Sequence, residues 1–253
     1  MGEASDPRIE FLLRLGDNAL VLSHRLSEWC GHGPVLEEDL ALTNVALDLI
    51  GHAQFWLGYA GELEGRGRDA DALAYRRDVW DFRNVLLVEQ PNGDYAQTMA
   101  RQFYFDAWHV LALTAMTDSA DPRIAEIAVK ALKEVKYHLD RSAMWVVTLG
   151  DGTEESHERM QRAIDDLWSY TGELFEVDAV ESSLIAGGVA PDLAKLVEPW
   201  RATVGETLRQ ATLEMPQAAW MHTGGKKGVH SESLGYILAD MQFLQRAYPE
   251  ATW

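Results

Sequence analysis

Cysteine occurs once, as Cys30, so the chain can form neither an intrachain disulfide nor a thiolate zinc cluster. That usage suits a reducing cytoplasm. Long apolar runs are also missing, none approaching the roughly 20 consecutive residues that cross a bilayer. The start, Met1-Gly2-Glu3-Ala4-Ser5-Asp6, has no basic region followed by an apolar stretch, and the chain is expected to be soluble and unprocessed. Positive charge is scarce: 22 Lys and Arg face 40 Asp and Glu, a formal net charge of −18. Because a phosphate backbone is bound by neutralising it with Lys and Arg, this balance argues against nucleic acid, and an acidic surface repels anionic membranes. Alternating apolar and polar runs between turns are nearly absent, which argues against strands. Gly-x-Ser-x-Gly, His-Glu-x-x-His and the phosphate-loop pattern do not occur.

What remains is helical periodicity almost throughout, and the class is all-α. Asp6-Pro7 is an N-cap followed by proline at the first helical position, and Phe11, Leu15, Ala19, Leu22 and Leu26 then recur at helical spacing up to Gly31-His32-Gly33-Pro34. A second helix opens on Glu37, Glu38 and Asp39, which suit the positive end of its dipole, and runs through Leu42, Val45, Leu49, Ala53 and Leu57 to the glycines at 61, 65 and 67. A third follows Pro91-Asn92-Gly93, where Asp94 and Gln97 have capping-box spacing, and carries Phe103, Ala107, Val110 and Leu111. Asp121-Pro122 repeats the first signature and opens a fourth through Ile127, Ala131, Val135 and Leu139 to Gly150.

The connection between helices two and three is long enough to cross a bundle, whereas the other two are short. One long crossover is the ferritin-like order. The expected architecture is a single domain over residues 1–253, with a four-helix core bundle at about 7–150 and additional C-terminal helices at about 153–248. Those extra helices centre on Met160, Ile164, Leu167 and Phe175, on Leu196, Trp200, Val204 and Leu208, and on Leu234, Ile237, Met241 and Leu244. They are expected to pack outside the bundle or against a partner.

A ferritin-like di-metal site takes a carboxylate from each of two helices and a Glu-x-x-His pair from each of the other two, because that spacing puts both ligands on one face. Here Asp17 is followed 31 residues later by Asp48 and four further on by His52; Asp106 is followed 28 residues later by Glu134 and four further on by His138. The halves look like a degenerate repeat, and both depart from the pattern in the same way: Gly51 and Tyr137 stand where the imidazoles belong. Three residues turn a helix by about −60° and four by about +40°, so the histidines point elsewhere than the site requires. Asp106 and His109 have the three-residue spacing, but on a helix that should supply only a carboxylate. Two readings follow: buried ion pairs and hydrogen bonds left where an ancestral site held metal, or a working di-iron centre with these six residues as ligands. His24, His32, His157 and His222 have no ligand spacing.

Three further features bear on function. Thr223-Gly224-Gly225-Lys226-Lys227-Gly228 is either a surface turn or a loop at an anionic ligand or interface, since it lacks the P-loop spacing. Arg76, Arg77 and Arg83 form the densest basic cluster and either meet a phosphate or pair with neighbouring acids. The nine tryptophans, with Met215, Met221 and Met241, read as packing residues, and Trp and Met are also enriched in interface cores.

The words Leu13-Arg14-Leu15-Gly16-Asp17-Asn18, Glu28-Trp29-Cys30-Gly31-His32, Leu86-Leu87-Val88-Glu89-Gln90-Pro91-Asn92-Gly93, Asp106-Ala107-Trp108-His109, Thr223 to Gly228 and Met241-Gln242, in this order, closely resemble the C-subunit family of ring 1,2-phenylacetyl-CoA epoxidases. The resemblance runs from about Leu12 to Trp253. It implies a ferritin-like, non-catalytic subunit without a cofactor of its own, acting in aerobic phenylacetate degradation. Its partners would be a catalytic A subunit, which carries di-iron and epoxidises the ring with oxygen, and a small B subunit. A separate reductase subunit would supply electrons from NADPH through FAD and an iron–sulfur cluster. It further implies that phenylacetyl-CoA is met at the interface by Trp80, Asp81, Phe82 and Arg83 with Glu181, Ser182 and Ser183, through backbone position more than side-chain chemistry. The rival to this scaffold role is an autonomous di-iron oxygenase. A caged iron-storage relative fits less well, given the extra C-terminal helices.

Overall fold

A computed structural model of the chain describes residues 6–251. The start Met1–Ser5 and the terminal Trp253, which the sequence reading used, lie outside the described residues. Among the described residues there are helices and turns and no strand, so the fold class is the all-α one expected. Contacts divide the chain into two compact units: residues up to Glu89 with those from Gly224 onward, and Gln90–Thr223. Each is built on one pair of long helices, and the segment 65–94 joins the pairs, which is the ferritin-like chain order.

In the first unit, α1 (Pro7–Ser27) and α2 (Leu36–Glu64) pack along each other as a hairpin. The Asp6 carboxylate accepts the Arg8 N–H at 2.9 Å, capping α1 ahead of Pro7. Gly65, at φ +66°, ends α2 in the left-handed conformation that glycine adopts without strain. The stripes read from the sequence, Phe11, Leu15, Ala19, Leu22 and Leu26 on α1 and Leu42, Val45, Leu49, Ala53 and Leu57 on α2, are all buried. A short helix α3 (Ala70–Tyr75), capped by Asp69 accepting the Ala72 N–H at 2.8 Å, and a 3-10 turn at Val79–Asp81 occupy the long connection.

In the second unit, α4 (Tyr95–Met116) pairs with α5 (Pro122–Gly150). Asp94 accepts the Gln97 N–H at 2.9 Å, and Asp121 accepts those of Arg123 and Ile124, so both expected caps form. Onto this pair fold α6 (Glu154–Trp168) and α8 (Val197–Gln210), with the short α7 (Ala179–Ala186) between them in sequence. Tyr104, Trp168 and Trp200 meet with ring centroids 5.6–5.9 Å apart. Each polar tip finds a partner: Trp200 donates to the Tyr104 carbonyl at 3.1 Å, the Tyr104 hydroxyl donates to the Ile164 carbonyl at 3.1 Å, and the Trp168 indole donates to the Ala218 carbonyl at 3.1 Å. Burial pushes the Tyr104 phenol well above its ordinary pKa.

One detail differs from the periodicity. Phe175 does not continue the helix of Met160, Ile164 and Leu167 but lies in a separate 3-10 turn, Gly172–Phe175. The helix stops at Trp168, whose carbonyl accepts the Thr171 hydroxyl at 2.8 Å, a side-chain bond that competes with helix propagation. The last long helix, α9 (Glu232–Ala247), belongs to the first unit and packs on α1 and α3.

Candidate functional site

The metal question turns on Asp17. It sits on the inner face of α1 with no solvent exposure. The Arg77 guanidinium reaches it from the far end of the α3 connection, donating through both terminal nitrogens, one at 3.0 Å to Oδ2. The Arg83 backbone N–H donates to the same Oδ2 at 2.8 Å. Arg77 is itself buried; it donates to the Asp81 carbonyl at 3.1 Å and lies 4.3 Å from the centroid of the Phe82 ring. The α1 carboxylate, which a di-metal centre would use as a ligand, is therefore already neutralised and multiply hydrogen-bonded by its own chain. Of the other candidates in this unit, Asp48 is half-buried and His52 buried, both on α2.

The second unit holds Asp106 on α4, and half-buried Glu134 and buried His138 on α5. Asp106 is fully buried and accepts the Gln102 side-chain amide at 2.7 Å and the Ser142 hydroxyl at 2.8 Å. Burial raises its pKa to about 6, partly offset by the nearby His138 charge and by the two hydrogen bonds. Among the described residues, no three His, Cys, Asp or Glu side chains group so as to hold a metal ion. The donor set does not fit a di-metal centre: one carboxylate of the pattern is held by arginine, and another is held by an amide and a hydroxyl.

The Arg76, Arg77 and Arg83 cluster divides among separate partners. Arg77 takes Asp17; Arg83 pairs with Glu10 at 2.8 Å and donates to the Trp80 and Phe82 carbonyls; Arg76 reaches the Pro249 carbonyl at 3.5 Å. The segment 80–83 is thus a braced surface turn. Trp80 is 72% exposed, whereas Phe82 has no exposure, its ring lying under Arg77. Asp81 turns back to accept the Asp78 N–H at 3.1 Å.

Against this turn lies the glycine loop. Gly228 has φ +78°, and a Cβ there would stand 2.5 Å from the Trp80 carbonyl oxygen, so both conformation and space require glycine. Two residues on, the His230 ring bridges Phe82 and Glu89: Nε2 lies 3.0 Å from the Phe82 carbonyl, and Nδ1 lies 3.0 Å from Glu89 Oε2. Glu89 also accepts the Ser231 N–H at 2.7 Å and the Asn84 amide at 3.1 Å. From α1, Arg25 donates to the Glu89 carbonyl at 2.7 and 3.2 Å. The word Leu86 to Gly93 is thereby tied, through Glu89, to His230 and Ser231 just after the glycine loop. His230 does not stand out in the sequence, since its only signal is its place just after the glycine loop.

The remaining candidates are on α7 in the second unit. Glu181 is buried and accepts the Asp178 N–H at 3.3 Å as the third residue of a capping box, while Ser182 and Ser183 are exposed. Lys226 is buried and Lys227 exposed in the turn after Gly225. No described helix is long and apolar enough to cross a membrane.

The family model described as phenylacetic acid catabolic protein matches residues 1–253. The chain is 52% identical, over 243 residues, to the C subunit of the 1,2-phenylacetyl-CoA epoxidase of Escherichia coli (strain K12), covering 96% of this chain and 98% of that protein. The chain belongs to the phenylacetic acid catabolic protein family.

Proposed function

We propose that this chain is the non-catalytic structural subunit of a multicomponent 1,2-phenylacetyl-CoA epoxidase, supporting a di-iron catalytic A subunit in the cytoplasm. The observation that carries the reading is the buried Asp17–Arg77 pair. An arginine fixed on the α1 carboxylate would repel a cation, and the side chain is too well packed to swing away cheaply. Asp106, held by Gln102 and Ser142, supports it from the second unit. Oxygen chemistry then belongs to the A subunit, with electrons from NADPH through the FAD and iron–sulfur reductase, and a small B subunit joins the assembly. The braced turn 80–83, with Trp80 exposed and the Gly224–Gly228 loop against it, is where this chain would touch phenylacetyl-CoA at the subunit interface.

The test is an omission assay: NADPH-dependent oxygenation of phenylacetyl-CoA by the A, B and reductase subunits, with and without this chain. The expected result is substantial turnover only when the chain is added, and none from the chain with reductase alone. Full turnover in its absence would remove the structural role.

A further inference from the structure

The segment 82–89 belongs to no helix, and bonds from distant side chains hold it: the Arg83 N–H donates to Asp17 and the Val85 N–H to Asn18 Oδ1, each at 2.8 Å. His230 reaches both of its ends at once, and the side chains of His230 and Glu89 are 1% and 0% exposed. Neither neighbour of the ring suits a bare nitrogen. The Phe82 carbonyl, 3.0 Å from Nε2, has no proton to give. Glu89 is surrounded by donors, the Ser231 N–H on Oε1 and the Asn84 amide on Oε2, which favours the ionised carboxylate. A neutral imidazole carries one N–H, and its second nitrogen would set a lone pair against an oxygen lone pair. With both nitrogens protonated the ring donates to both oxygens, and its charge is matched by Glu89. The arginines nearby are engaged on backbone, Arg25 of α1 on the Glu89 carbonyl and Arg83 on those of Trp80 and Phe82. Lys226 and Lys227 precede the ring in the glycine loop, and Glu232 follows it at the start of α9.

What this ring fixes is the turn beside it. Phe82 closes the 3-10 turn Val79–Asp81, so the carbonyl that His230 holds lies two residues after Trp80, while Gly228 packs against the carbonyl of Trp80 itself. The Trp80 indole is 72% exposed, so its direction is set by the backbone beneath it. Resting on the function proposed above, in which this turn touches phenylacetyl-CoA, we propose that His230, protonated on both nitrogens, is the positioning residue of the turn 80–83, holding the Trp80 indole toward the substrate by donating to Phe82 and Glu89 together.

The ring is read first in the wild-type full chain, by 15N NMR of histidine-labelled protein at pH 7.5, with the signal assigned through its contacts to the Ser231 amide. Two nitrogens of the protonated kind are expected; one protonated and one bare nitrogen overturns the proposal. The role is read in the epoxidase assembled from this chain with the A, B and reductase subunits. His230→Gln, whose single amide nitrogen cannot serve oxygens on opposite sides of a ring, should raise KM for phenylacetyl-CoA about 10-fold, as for one lost charge-assisted hydrogen bond, and leave kcat within about twofold. Trp80→Ala should raise KM as well, and the double variant should be no worse than the worse single one, because both act through one turn. Unchanged KM in His230→Gln, a fall in kcat alone, or additive effects of the two substitutions overturns the positioning role, while dependence of turnover on the chain keeps the subunit reading intact. Full turnover with the chain left out overturns both.

Discussion

Arg77→Met is expected to destabilise the protein by about 3–5 kcal/mol, because it leaves the Asp17 carboxylate charged, buried and without its counter-ion. Methionine keeps most of the volume over the Phe82 ring, so the loss reports the charge more than a cavity. The partner substitution separates the two. In Arg77→Met, Asp17→Asn the buried charge is gone while the Arg83 N–H keeps an acceptor, and more than half of the lost stability should return. Urea midpoints of the wild type, both single variants and the double variant give the coupling directly. A loss below about 1 kcal/mol for Arg77→Met would mean that Asp17 does not depend on the arginine.

Asp106→Asn is expected to act in the opposite direction. In the folded protein the carboxyl holds its proton up to about pH 6, against an ordinary value of 3.8. Between those values the native state binds more protons than the unfolded chain, so stability falls as pH rises through this window. Once Asp106 is ionised, the difference corresponds to about 3 kcal/mol of native-state cost. Asparagine can keep an oxygen for the Gln102 amide and turn an N–H toward Ser142 without carrying charge. The variant should therefore be more stable than the wild type by about 1–3 kcal/mol at pH 7.5, and the gap should close toward pH 4. Urea midpoints at pH 4.5, 6 and 7.5 check it. A variant less stable than the wild type at pH 7.5 would show that the site is built for the ionised carboxylate.

These two groups also mark where sequence reasoning stops. Asp6-Pro7, Asp94 with Gln97 and Asp121-Pro122 announced three of the four long helices because a cap acts within three residues of itself, and the buried stripes followed because their period is local. The spacing of Asp48 to His52 and of Glu134 to His138 likewise revealed that the ferritin-like pattern was broken. What replaced the pattern was not legible. Arg77 lies 60 residues from Asp17 and belonged to a cluster that suited phosphate as well as acid. His230 and Glu89 are 141 residues apart, and nothing in either neighbourhood names the other. The short helices α3 and α7 escaped because six and eight residues hold too few turns to display a period, although Asp69 and the Asp178–Glu181 capping box stand at their starts. Phe82 and Glu181 show the same limit from the other side: their places in the resemblance were visible, whereas their burial beneath Arg77 and within a cap depends on packing.

The most direct test of the central claim is the iron content of the purified full chain after anaerobic incubation with ferrous iron and desalting, read with its NADPH-dependent oxygenation of phenylacetyl-CoA when supplied with reductase alone. The account predicts well under one iron per chain and no turnover, since Asp17 remains bound to Arg77. Two irons per chain with oxygenation in the absence of the A subunit would contradict it.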